Sequence, residues 1–138
     1  CSAGNSGDDP WKKVTPPGDS ENVLTIGALT KDLVNAEFSS IGDTSDGRIK
    51  PDVMAIGVNS VVSGNDGRVS KANGTSFASP TMCGIVACFW QACPWLTAKE
   101  VIRAVQQAGD RVDYPDNIYG YGIPNLWKAY QKELEKKK

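Results

Sequence analysis

The sequence contains no histidine. A histidine base and any metal site built on imidazole are therefore excluded within this chain. Lysine plus arginine nearly cancel aspartate plus glutamate, 15 against 16. The only basic block is Lys136-Lys137-Lys138, which reads as a solvated, frayed helix end. Phosphate binding needs clustered cations, so no nucleic-acid partner is expected. No uninterrupted apolar run is long enough to span a bilayer. The chain opens on Cys1-Ser2-Ala3-Gly4 without the charged n-region of a signal peptide, as though cut from something longer. Internal repeats and low-complexity tracts are also lacking.

What remains is enough for one core: 138 residues, read as a single domain portion over 1–138. Cys83, Cys88 and Cys93 fall at five-residue steps along one expected helix, so successive side chains diverge by more than about 90°. That spacing suits neither a disulfide nor a metal site, and no metal ligand set is assigned. They read as buried free thiols, with a bridge from Cys1 to a helix cysteine left open. Trp11, Trp90, Trp95 and Trp127 are expected in the core or at an interface.

The most informative stretch is Asn73-Gly74-Thr75-Ser76-Phe77-Ala78-Ser79-Pro80. It leads into an apolar helical pattern through Met82, Ile85, Val86, Phe89 and Trp90, expected to run from Ser76 to about Ala92 as a buried helix. Ser76 then sits at a helix N-terminus, where unpaired N–H groups carry partial positive charge. Pro80 is expected in a first turn, and Gly84 is expected to permit close packing. Read locally, the hydroxyl residues are simply an N-cap.

Upstream, Cys1 to Gly7 is a small-residue loop that reads as an ordinary turn, and Asp8 to Glu21 is a polar surface loop. Val23–Leu29 is β-branched and apolar with little alternation, as in a parallel strand buried on both faces. Asn65-Asp66-Gly67 and Asn73-Gly74 flank an expected hairpin arm within Val58–Ala72. Asn73-Gly74-Thr75 is also formally a glycosylation sequon. Thr97-Ala98-Lys99-Glu100 is a capping box before a helix carrying Val101, Ile102, Val105 and Ala108, closed by Gly109. Asn125 caps a last helix with Leu126, Ala129, Tyr130 and Leu134.

Gly74 to Pro80 closely resembles the nucleophile signature of the subtilisin-like serine proteases, the subtilases. Ser2-Ala3-Gly4-Asn5 resembles that family's asparagine segment. Val23–Leu29, Phe38-Ser39-Ser40-Ile41-Gly42, Lys50–Gly57 and Tyr119–Asn125 continue the resemblance in order, to about Tyr130. Two positions depart from it: Ile56 stands where a proline is usual, and Thr81 where histidine often follows Ser-Pro.

The resemblance implies an α/β fold. It is a partial one: the C-terminal portion of a mostly parallel sheet flanked by helices, lacking the earlier strands. It implies Ser76 as nucleophile, Asn5 as oxyanion donor, and Ser2, Ala3, Gly4 and Thr15 around the specificity pocket. Polypeptide is the implied substrate, no organic cofactor is implied, and calcium and a secreted or cell-envelope location follow by analogy alone. The family's aspartate and histidine motifs lie upstream of the asparagine segment, so a partner segment must supply them. A serine hydroxyl is a poor nucleophile unless a base takes its proton, and the chain alone is expected to be inactive. Two other readings stay open: a degenerate subtilase that binds polypeptide without cleaving it, and a hydrolase using a Ser76–Lys71 pair. An uncovered strand edge and apolar face should make the isolated chain self-associate.

Overall fold

The computed structural model describes residues 1–137; Lys138, the end of the basic block, lies outside the described residues. The elements in chain order are β1 (Ile26–Leu29), β2 (Val53–Ile56), β3 (Ser60–Ser63), β4 (Val69–Ala72), α1 (Thr75–Ala92), α2 (Ala98–Gln107) and α3 (Leu126–Glu135). β1 and β2 pair in parallel with Ile26 beside Val53. Residues 1–3 extend the sheet beyond β1: Ile26 N–H donates to Cys1 O and Ala3 N–H to Ile26 O. Beyond β2, Tyr121 N–H donates to Asp52 O and Met54 N–H to Gly122 O. The expected strand from Val23 is shorter than its apolar run, because Val23 and Leu24 precede the ladder and are only half-buried.

Alternation along the strands turns Ile26, Ala28, Val53 and Ala55 toward α1, where they form one core with Ala78, Met82 and Phe89. α2 and α3 pack against α1 and against each other. On the opposite face Met54 lies over Gly27, so a Cβ there would fall 2.5 Å from its sulfur. β3 and β4 form the expected antiparallel arm. The caps stand where the sequence puts them. Thr97 and Glu100 make a reciprocal capping box, and Asn125 accepts from Lys128 N–H.

A buried ion pair ties the sheet to α2. Lys50 and Asp52 side chains are each 3% exposed, with Nζ 2.7 Å from Oδ2. Asp52 Oδ2 also accepts from Thr25 N–H and its Oδ1 from Gln106 Nε2. Lys50 further donates to Val23 O and Thr25 Oγ1. Such a pair survives burial only because hydrogen bonds satisfy both partners.

Several expectations are corrected by the other side of α1. The helix buries Thr75, Ala78, Met82 and Phe89, yet Ile85 is 46% and Trp90 42% exposed. Cys83 and Cys88 are exposed and only Cys93 is buried; all four thiols, Cys1 included, are free. Trp11, Trp95 and Trp127 are exposed as well, so of the two places expected for the tryptophans the core is ruled out and an interface is not. A Cβ at Gly84 would meet nothing within 4 Å, so no close packing explains that glycine among the described residues. An all-round apolar helix read as buried is therefore covered on one face only.

Candidate active site

The C-terminal ends of β1 and β2 meet the start of α1. Gly74 N–H donates to Gly57 O at 2.8 Å, and a Cβ on Gly57 would lie 2.7 Å from Gly74 O and 2.8 Å from Ala28 Cβ. Only hydrogen fits in that gap. Asn73 steadies the approach by accepting Asn59 N–H through Oδ1 at 2.7 Å. Gly74 stands at the N-cap with φ 156°, and no side chain caps the helix from there.

The capping group comes from the far end of the sequence instead. Asn5 Oδ1 accepts from Thr75 N–H and from the Thr75 hydroxyl, both at 2.9 Å. Thr75 Oγ1 in turn accepts Gly4 N–H at 3.2 Å. Two donors on one oxygen fix the carboxamide's orientation, because an amide nitrogen could accept from neither. The Nδ2 donors are thereby left free to face Gly74, 3.5 Å from where its Cβ would stand. Ser40 holds the same loop from behind, with its hydroxyl accepting Ser6 N–H and its N–H donating to Gly4 O.

Ser76 follows Thr75 as the second residue of α1, and it is exposed. At that position its N–H has no intrahelical carbonyl within reach, and the helix end lends it partial positive charge. Pro80 lies inside the helix rather than in its first turn. With no N–H of its own, it leaves the Ser76 carbonyl without the usual i+4 donor. The start of α1 thus carries an exposed hydroxyl and an unpaired N–H at Ser76, with the Asn5 amide fixed beside the preceding Gly74 and Thr75, groups suited to anionic oxygen.

The pocket candidates are also neighbours. Gly18, which closes the turn from Thr15, lies so that its Cβ would be 3.2 Å from Thr15 O and 3.3 Å from Ser2 O. Thr15 is exposed, Ser2 and Gly4 are half-buried, and Ala3 is 1% exposed within the sheet. Gly4 takes φ 103°, where a side chain would also press on Ser40 Oγ. Lys71 sits on β4 opposite Val61, exposed in the arm. Among the described residues no three His, Cys, Asp or Glu side chains converge as a metal site.

Thr75 is the residue that sequence reasoning passed over. It is fully buried, 0% exposed, and links the two halves of the mouth. A hydroxyl residue directly before Ser76 was its only signal, and a local cap explains that signal equally well.

Comparison with known proteins gives a consistent result. The model of the subtilase family matches residues 1–122. Serine protease AprX of Bacillus subtilis (strain 168) is 39% identical over 145 residues, covering 89% of this chain and 33% of that protein. Subtilisin DY of Bacillus licheniformis is 29% identical, covering 95% and 46%. The self-cleaved protease domain of PatA superposes with a TM-score of 0.76 at 22% identity, covering 97% of this chain and 49% of that one. The CspB protease of Clostridium perfringens gives 0.76 at 24%, covering 91% and 29%. The last two establish likeness of fold. The chain spans about a third to a half of the curated relatives' length.

Proposed function

This chain belongs to the subtilase family of serine proteases, and from that premise we propose that it is the nucleophile-and-oxyanion half of a serine endopeptidase. Ser76 attacks the peptide carbonyl. Asn5 Nδ2 and the Ser76 N–H then hold the oxyanion of the tetrahedral intermediate, where charge develops only as the bond forms. The aspartate and histidine come from an upstream segment of the parent protein, since this chain has no histidine. The observation that carries the reading is the clamp of Asn5 on Thr75, which leaves an amide donor beside the turn that bears Ser76.

The bare face of α1 supports the missing half. Ile85, Cys88 and Gly84 lie open on a helix that is apolar on nearly every side, and such a surface marks a place where more protein packs. Without a base to take the serine proton, turnover falls by on the order of 10⁶-fold, a magnitude that comes from subtilisin, of the same family. The chain alone should thus not hydrolyse peptides at an enzymatic rate. Fluorophosphonate labelling tests this. The parent protein should label strongly at Ser76 and lose the label in Ser76→Ala, while the 138-residue chain labels poorly. Equal labelling of both would point to a local base such as Lys71 and refute the proposal.

A further inference from the structure

Ser39 and Ser40 are adjacent, 0% and 1% exposed, and serve two different partners. The Ser39 hydroxyl oxygen accepts Ala28 N–H in β1 at 3.0 Å. Ser40 serves the loop of Asn5 instead: its hydroxyl oxygen accepts Ser6 N–H at 3.0 Å, and its own N–H donates to Gly4 O at 2.9 Å. One residue thus grips the chain immediately before and immediately after Asn5. Gly7 N–H adds a bond to Phe38 O at 2.8 Å, and a Cβ on Gly7 would collide with Ser39 O and Glu37 O. Residues 4–7 therefore lie directly on the main chain of residues 37–40.

The same short segment is tied to the other half of the site. Ala28 O accepts Ala36 N–H at 2.9 Å, so the segment holds Ala28 through both its N–H and its carbonyl. The Ala28 methyl group crowds Gly57, whose carbonyl accepts Gly74 N–H just before Thr75 and Ser76. The Asn5 loop and the turn into α1 are thus both referred to one residue of β1, the first through Ser39 and Ser40, the second through Gly57. Thr75 aims the Asn5 carboxamide, while Ser40 fixes the backbone from which that side chain grows. An oxyanion donor acts only where it is held in advance, and a misplacement of an ångström can cost on the order of 100-fold. We propose that Ser40 is a positioning residue for the reaction, acting through Gly4 and Ser6 on the place of Asn5 Nδ2. The inference rests on the oxyanion role proposed above for Asn5.

The test is a double-substitution cycle in the parent protein. Ser40→Ala should lower kcat on the order of tenfold and move KM by less than about twofold. On an Asn5→Ala background no carboxamide remains to be placed, and the same change should lower kcat no further. Ser40→Ala should also lower the order parameter of the Asn5 side-chain amide in the 138-residue chain, read by nitrogen relaxation, while that of Asn125 at the start of α3 stays as it was. Equal factors on both backgrounds would mark a loss of folded protein rather than of aim, and would overturn the proposal. So would an unchanged kcat in Ser40→Ala where Asn5→Ala alone lowers it, or an Asn5 amide no looser than before. If Asn5→Ala itself leaves kcat intact, the oxyanion reading falls first and takes this proposal with it.

Discussion

The carboxamide oxygen of Asn5 takes both the N–H and the hydroxyl of Thr75, joining residues 70 positions apart at the foot of α1. The bond serves as the helix cap that Gly74 cannot supply. It also decides which end of the Asn5 amide faces the mouth.

Thr75→Val keeps the shape and removes the hydroxyl. Asn5 then loses one of its two anchors, and Gly4 N–H loses its acceptor. With Asn5 in its proposed role, kcat of the parent protein should fall about 10-fold to 100-fold with KM little changed, because aim lost at an oxyanion acts in the transition state. Asn5→Ala should cost more, about 2.7–4 kcal/mol, a range that itself comes from subtilisin. Steady-state kinetics on both variants checks the order.

The open face of α1 should make the isolated chain self-associate. Light scattering is expected to give a mass that rises with concentration, and Ile85→Glu should return it to monomer by placing a charge on the apolar stripe. A monomer mass independent of concentration in the unsubstituted chain would contradict this.

Lys50→Met should destabilise the chain by about 3–5 kcal/mol in urea, since it strands the buried Asp52 carboxylate. Replacing both, as Lys50→Met with Asp52→Leu, should recover part of the loss. Equal losses in the single and double variants would mean that the remaining bonds to Thr25 and Gln106, and not charge, dominate.

Hydrogen bonds from the Thr97 N–H and then its hydroxyl hold the Glu100 carboxyl below its ordinary pKa. A carboxyl depressed by folding contributes stability that is fully present above its unfolded pKa. That contribution is lost as pH falls through the lower folded value. Carbon-detected titration should therefore find Glu100 below the usual glutamate range, and Thr97→Ala should raise it. That change should also cost about 1 kcal/mol through the lost cap.

Much of the framework could be read without coordinates, because caps and periodicity are local. Thr97 with Glu100 and Asn125 with Lys128 start α2 and α3 where the residues say they should. The approach of Asn5 to Gly74 and Thr75 was legible only through resemblance, since no local rule joins segments so distant. Cys83, Cys88 and Gly84 were misread for one physical reason. Apolarity tells which surface wants cover, and only the presence of a neighbour tells whether it has it. Thr75 was hidden by its own ordinariness, as a small hydroxyl at a helix start has an adequate bland explanation.

The crowding at Gly57 sets a limit on any attempt to remould this molecule. Gly74 O, Ala28 Cβ and Ala78 Cβ crowd the space that a first side-chain carbon would need. The approach of the start of α1 to the sheet is hence set by one carbonyl and two alanine methyl groups. In a mutational library, positions 28, 57, 74 and 78 should be barren, while the Thr15 turn and the β3–β4 arm accept variety. New specificities would have to be carved around a platform that itself will not shift.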